Sequence, residues 1–142
     1  MTDSEGGYNL QRFVEAQKPV IEEVKRELRS GRKRTHWMWF VFPQIAGLAS
    51  SQMSRRYAIA SREEAEAYLE HPILGPRLRE CTELVNAIEG HSANDIFGSP
   101  DDLKFRSSMT LFDVVADTPA PFKTALRKYF DDEPDPKTLQ RL

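Results

Sequence analysis

Asp101, Lys104 and Ser108 recur at steps of three and four, so on a helix they share one face, and Gly98 and Ser99 stand just before it. Free backbone N–H groups at a helix start, together with a cation and a hydroxyl, make a seat for an anion such as phosphate. The same segment carries Arg106, Ser107 and Thr110, and it is ringed by Leu103, Phe105, Met109, Leu111, Phe112, Val114 and Val115. A helix apolar on nearly every side belongs at the centre of a fold. Burying its polar groups without partners costs on the order of 1–3 kcal/mol each. They are therefore either paired internally or exposed to a wet pocket. A second constellation is the stretch THWMWFVFPQ, from Thr35 to Gln44. As a helix it places Trp37, Phe40 and Val41 on one face while Met38 and Phe42 look elsewhere, so it serves two surfaces. His36, Trp37, Trp39 and Gln44 supply flat apolar walls with hydrogen-bonding ends, the chemistry of a pocket that stacks a nucleobase. The alternative is a core segment wrapped on both sides.

Other chemistries find little support. The three histidines, His36, His71 and His91, are scattered, Cys81 is the single cysteine, and no HExxH or paired-cysteine spacing exists. No metal and no cofactor are expected. Neither a GxGxxG turn nor a GxxxxGK[ST] loop occurs. Cys81 falls within an apolar stripe and reads as a small buried hydrophobe rather than a nucleophile. His71, before Pro72, reads as a helix-junction residue.

The formal net charge of −2 argues against a chain built chiefly to hold nucleic acid. Its distribution is uneven: Lys25 to Arg34 carries six basic residues and one acid, whereas Asp131 to Asp135 carries four acids. No apolar run approaches the roughly 20 residues that cross a bilayer. The start, MTDSEGGYN, has no signal-like pattern, so a cytoplasmic location without membrane association is expected.

These side chains need helices to position them. A length of 142 residues suits one domain, expected as an arm over residues 1–9, a helical body over 10–130 and an acidic tail over 131–142. Leu10, Val14, Ile21, Val24 and Leu28 draw one stripe, shared by Gln17 and ending near Gly31. Pro19 must kink that helix or stop and restart it. After Pro43, GLASSQMSRRYAIA lacks a period and reads as irregular or briefly extended. Ser61 and Glu64 form a capping box for EEAEAYLE. Leu74, Leu78, Cys81, Val85 and Ile88 stripe the next helix up to Gly90. HSANDIFG reads as a short capped turn, Ser99 as the N-cap of the polar central helix, and a final helix starts near TPAPF with Phe122, Ala125, Leu126 and Tyr129 on its apolar face and Phe130 beside it. The expected class is all-α, with five to seven helices and a minor extended pair between Gly47 and Ala60.

The segments RFVEAQ, HWMWFVFPQIAGL, MSRRYAI, AYLEHPILGPRL and IFGSPDDLKFRSSMTLF resemble the bacterial domain-of-unknown-function family numbered 1810, across nearly the whole chain. That resemblance implies a compact, mainly helical domain. Ala16-Gln17-Lys18, IASREEAEA and Asp95-Ile96-Phe97-Gly98 more distantly resemble pieces of the NADAR superfamily. Phe97 replaces its tryptophan, and SPDD follows Gly98 in place of a glycine-rich run. This second resemblance implies an ADP-ribose-like ligand and cleavage of an N-glycosidic bond.

The residues and the resemblances converge on one arrangement. Gln17 and Lys18, the His36 to Gln44 segment, and the Gly98 to Ser108 helix start surround a cleft for a nucleotide-like ligand. Trp37 or Trp39 stacks, Lys104, Ser107, Ser108 and backbone N–H groups hold phosphate, and Arg55 or Arg56 assists. For catalysis the candidates are Glu15, Lys18 and Asp101, as oxocarbenium-stabilising carboxylates or an attacking lysine. The runners-up are a binder of single-stranded nucleic acid through the Lys25 to Arg34 stretch and a protein-interaction module anchored by the aromatic segment. The oligomeric state stays open.

Overall fold

The computed structural model describes residues 8–118 and 120–142, so most of the arm expected over residues 1–9 lies outside the described residues. Among the described residues ten helices follow in order: α1 (Gln11–Gln17), α2 (Ile21–Arg29), α3 (Met38–Val41), α4 (Gln52–Arg56), α5 (Arg62–Glu70), α6 (Leu74–Asn86), α7 (Ala93–Phe97), α8 (Asp101–Val115), α9 (Phe122–Phe130) and α10 (Pro136–Gln140). Six have seven residues or more, and the class is all-α. Four single-turn helices raise the number above the five to seven expected.

Pro19 breaks the first stripe outright. α1 ends at Gln17, the Val20 N–H donates to the Gln17 carbonyl at 3.0 Å, and α2 starts afresh at Ile21. Glu22 and Glu23 occupy its first turn and Arg26 and Arg29 its last, each complementing the helix dipole. Leu10, Ile21, Val24 and Leu28 are buried as the stripe requires. α2 packs against α6, where Leu74, Leu78, Cys81 and Val85 are buried in turn. Burial, with the Glu80 charge adding to it, pushes the Cys81 thiol up to about 12, so it stays an inert hydrophobe. His71 sits at the α5–α6 junction, where its Nδ1 accepts the Ile73 and Leu74 N–H groups at 3.1 and 3.3 Å.

Several boundaries differ from expectation for local reasons. The irregular stretch after Gly47 holds α4, capped by the Ser51 hydroxyl, which accepts the Ser54 N–H at 3.1 Å. No strand pair forms between Gly47 and Ala60 among the described residues, and an isolated parallel bridge joins Ile45, before that stretch, to Ile59. Ser61 does cap α5, but the Glu64 carboxylate accepts from Ala60, one residue before the cap, at 2.7 Å. Its other oxygen pairs with Arg12 at 3.1 Å. The complete capping box lies at α7, between Ser92 and Asp95. α6 ends at Asn86, short of Gly90. Pro100, not Ser99, occupies the cap position of α8.

α8 is the central helix and packs on α5, α7, α9 and α10. Phe105, Met109, Leu111 and Phe112 are fully buried along it. Leu103 departs from the expected ring and stands 56% exposed. After α9 the chain turns through Asp131 and Asp132, both with left-handed backbones, and the acidic segment then lays α10 back on α8.

Candidate functional site

The aromatic segment splits between core and surface. Trp37, Met38, Phe40, Val41 and Phe42 are buried, and Phe42 meets Phe97 and Phe105 edge-on. The indole N–H of Trp37 donates to Glu27 Oε1 at 2.9 Å. That carboxylate also accepts the Arg34 N–H at 2.8 Å, the Thr35 N–H at 3.1 Å and the Thr35 hydroxyl at 2.7 Å. Burial works to raise the Glu27 pKa, but the hydrogen bonds from Arg34, Thr35 and Trp37 outweigh it and hold it at about 2. Trp37 therefore has neither an open face nor a free N–H for a base, which corrects its expected stacking role. Gln17 is likewise internal: its amide donates to the Phe40 carbonyl at 2.6 Å and the Tyr68 hydroxyl at 3.0 Å.

Trp39 is the half-buried indole. The Lys104 ammonium lies 3.9 Å from its ring centroid, a cation–π contact. Asp101 accepts that ammonium at 3.0 Å and the Lys33 ammonium, also at 3.0 Å, through its other oxygen. Lys33 in turn lies 5.2 Å from the Trp37 ring. Burial pushes Asp101 up, yet Lys104 and Lys33 together keep it below the ordinary carboxylate range. Two lysines on one carboxylate leave one surplus positive charge between the tryptophans.

Three of the four N–H groups from Asp101 to Lys104 at the start of α8 already have acceptors. The Asp102 N–H is taken by the Gly98 carbonyl at 2.8 Å, and the Leu103 and Lys104 N–H groups by the Pro100 carbonyl at 3.0 and 3.2 Å. The hydroxyls are equally committed. Ser107 donates to the Leu103 carbonyl or to Asp135, both at 3.1 Å, and Thr110 donates to the Arg106 carbonyl at 2.8 Å while accepting the Asp135 N–H at 2.9 Å. Ser108 is fully buried, with no partner for its hydroxyl among the described residues. Internal pairing thus explains most polar groups of the helix, and a phosphate cradle of N–H groups and hydroxyls is corrected on that ground.

A cleft of about 680 Å³ opens beside these residues, between α8, α10 and the loop that follows Pro43. Leu48, Pro100, Leu103 and Pro136 give it apolar walls, and Gln44, Lys104 and Lys137 are polar groups along it. Gln44, Leu48 and Ala49 also border a narrow niche lined by Trp39, so the indole stands next to the cleft rather than in it. In the loop after Pro43, the Arg141 guanidinium lies against Gly47, whose φ of +96° and missing side chain leave it room.

Of the residues singled out from the sequence, Gln44, Lys104 and Ser107 meet at this cleft, with Trp39 and Asp101 behind Lys104. Gly98 contributes its carbonyl to the start of α8 and does not line the cleft. His36 is exposed elsewhere. Arg55 and Arg56 are exposed on α4 outside it, and the Arg56 carbonyl is held by Arg12 at 2.8 Å. Glu15 and Lys18 are exposed at the end of α1, and no described contact joins them to Asp101, so the three catalytic candidates form no constellation. Among the described residues no three His, Cys, Asp or Glu side chains gather as metal ligands. Sequence reasoning missed Glu27, Leu103, Lys137 and Gln140. Only Glu27 left a sign, as the lone acid in the basic run.

A small all-α domain with an amphipathic cleft at the C-terminal end of its chain is the class these features define. The chain belongs to the family described as "Protein of unknown function (DUF1810)", which it matches over residues 7–142. It is similar to the conserved hypothetical protein Rv1873 from Mycobacterium tuberculosis, known from a crystal structure, at 56% identity and a TM-score of 0.94, over 95% of this chain and 96% of that one. No curated protein matches the chain. The pieces resembling the NADAR superfamily have structural employment here: Gln17 bonds the core, the Ser61 hydroxyl caps α5, the Glu64 carboxylate accepts the Ala60 N–H, and the Asp95 carboxylate accepts the Ser92 N–H at 2.9 Å. No helix among the described residues is long and apolar enough to cross a membrane.

Proposed function

We propose that the cleft beside α8 binds a small, nucleotide-like organic anion. Its volume falls within the roughly 300–1,000 Å³ of small-molecule sites. The observation that carries the reading is Leu103, 56% exposed on the central helix, forming an apolar wall edged by polar side chains. Gln44, Lys137 and Gln140 have no side-chain partner among the described residues, so their hydrogen bonds are available to a ligand. The apolar body would lie on Leu103, Leu48 and Pro136, with its negative group toward Lys137 and Lys104. Trp39 acts by holding Lys104 rather than by stacking on a base. ADP-ribose fits this class. Cleavage of its N-glycosidic bond is outside the proposal, because Asp101 is locked between two lysines and Glu15 and Lys18 stand apart from it.

A ligand that binds only the folded state raises stability by about 2.7 kcal/mol at one hundred times its Kd. AMP and ADP-ribose are therefore expected to raise the Tm of the wild-type protein and to leave that of Leu103→Glu unchanged, since the added carboxylate sits where the apolar body must rest. A Tm unmoved by either compound, or raised equally in both proteins, would overturn the assignment.

A further inference from the structure

Polar contacts to α8 gather around Asp135, the residue that caps α10, and its carboxylate both caps the helix and reaches α8. Asp135 Oδ2 accepts the Ser107 hydroxyl at 3.1 Å, the Thr138 N–H at 3.1 Å and the Thr138 hydroxyl at 2.6 Å. Its own N–H donates to Thr110 at 2.9 Å. Just before it, the Arg106 guanidinium grips the Glu133 and Pro134 carbonyls, each at 2.9 Å. Just after it, Pro136 opens the helix at a position that needs no N–H partner. Thr138 is fully buried beneath and Leu139 is 44% exposed, and Leu142, just past the helix, packs against the core. Lys137 and Gln140, three residues apart, therefore share a face, and both line the cleft opposite Gln44.

We infer that α10 is the selecting wall of the cleft, with Asp135 as its positioning residue and Lys137 as the group that recognises the ligand's negative charge. This rests on the reading of the cleft as a ligand site and adds which element discriminates among ligands. A cleft wall whose helix cap and side-chain bond to α8 share one carboxylate loosens when that side chain is lost, while the core of α5, α6 and α8 stays packed.

Three variants and two measurements test it. Without ligand, Asp135→Ala is expected to speed amide exchange across residues 133–142 at least tenfold and to leave α5 and α6 unchanged. Asp135→Asn, which keeps an acceptor oxygen, should fall between it and the wild type. With AMP and adenosine as probes, Lys137→Ala should retain slow exchange, lose about tenfold in affinity for AMP and leave that for adenosine unchanged. Exchange over 133–142 as slow in Asp135→Ala as in the wild type would overturn the positioning role whether or not AMP binds. Equal AMP affinity in Lys137→Ala and wild type would overturn the recognition role. A wild-type protein that ignores AMP overturns the ligand reading and the role of Lys137 together, and the exchange data still decide that of Asp135.

Discussion

Replacing Glu27 with glutamine keeps the shape of the side chain and turns one of its acceptor oxygens into a donor, facing the N–H and O–H groups of Arg34, Thr35 and the buried Trp37 that donate to it. Leaving a buried donor unsatisfied costs about 1–3 kcal/mol, so Glu27→Gln should destabilise the protein by about 2 kcal/mol in urea unfolding. The same carboxylate predicts an acid limit. Its folded pKa of about 2 lies below its ordinary 4.5, so its contribution is complete above pH 4.5 and fades as the pH falls toward 2. Unfolding midpoints measured from pH 6 to 2 should drop more steeply for wild type than for Glu27→Gln, and parallel curves would refute the assignment. The two indoles differ in a way that fluorescence reads directly. Trp37 is buried and Trp39 half-buried, so acrylamide quenching of the wild type should come from Trp39 and largely vanish in Trp39→Phe. Quenching that persists in that variant would contradict the placement of both rings.

At the scale of elements, the α5–α6 junction depends on space at Gly75. A Cβ there would collide with the Leu69 carbonyl oxygen, a backbone atom that cannot swing aside. Overpacking of that kind typically costs 1–3 kcal/mol, and Gly75→Ala should lower stability by about that much, although alanine is the better helix former. An unchanged or raised Tm would show that the helices can separate at no cost. Nothing in LGPRL marks this glycine as tightly packed, because the contact is with a carbonyl from the preceding helix. The long elements were legible for the opposite reason: the stripes of α2 and α6 are periodic within one segment, and burial follows period. The short helices α3, α4, α7 and α10 span one turn or little more, too few residues for a period to declare itself. The candidate site was half legible. Lys104 and Ser107 stood out as polar residues on an apolar helix. Lys137 and Gln140 did not, because their place follows from Asp135 reaching back to Ser107, twenty-eight positions earlier.

For the molecule as a whole, the distribution of charge bears on the proposal of a small ligand rather than a nucleic acid. Much of the basic run from Lys25 to Arg34 is already spent within the fold. Lys25 pairs with Glu80 at 3.0 Å, Arg26 with Glu23, and Lys33 with Asp101 at 3.0 Å. Arg29, Arg32 and Arg34 are left exposed, three cations on a chain of net charge −2. The aromatic groups that would have stacked on bases are mostly sealed, Trp37 foremost. Each phosphate neutralised on a single strand contributes roughly 0.7 to the slope of log affinity against log salt. Three available cations therefore predict a slope of about 2 for a short single-stranded oligonucleotide, with binding lost near physiological salt. Fluorescence anisotropy over roughly a tenfold range of salt, up to about 200 mM, measures that slope. A value near 4, the mark of all six basic residues engaging, would mean that the internal ion pairs open to receive a strand, and the small-anion reading of the cleft would lose its ground to a nucleic-acid one.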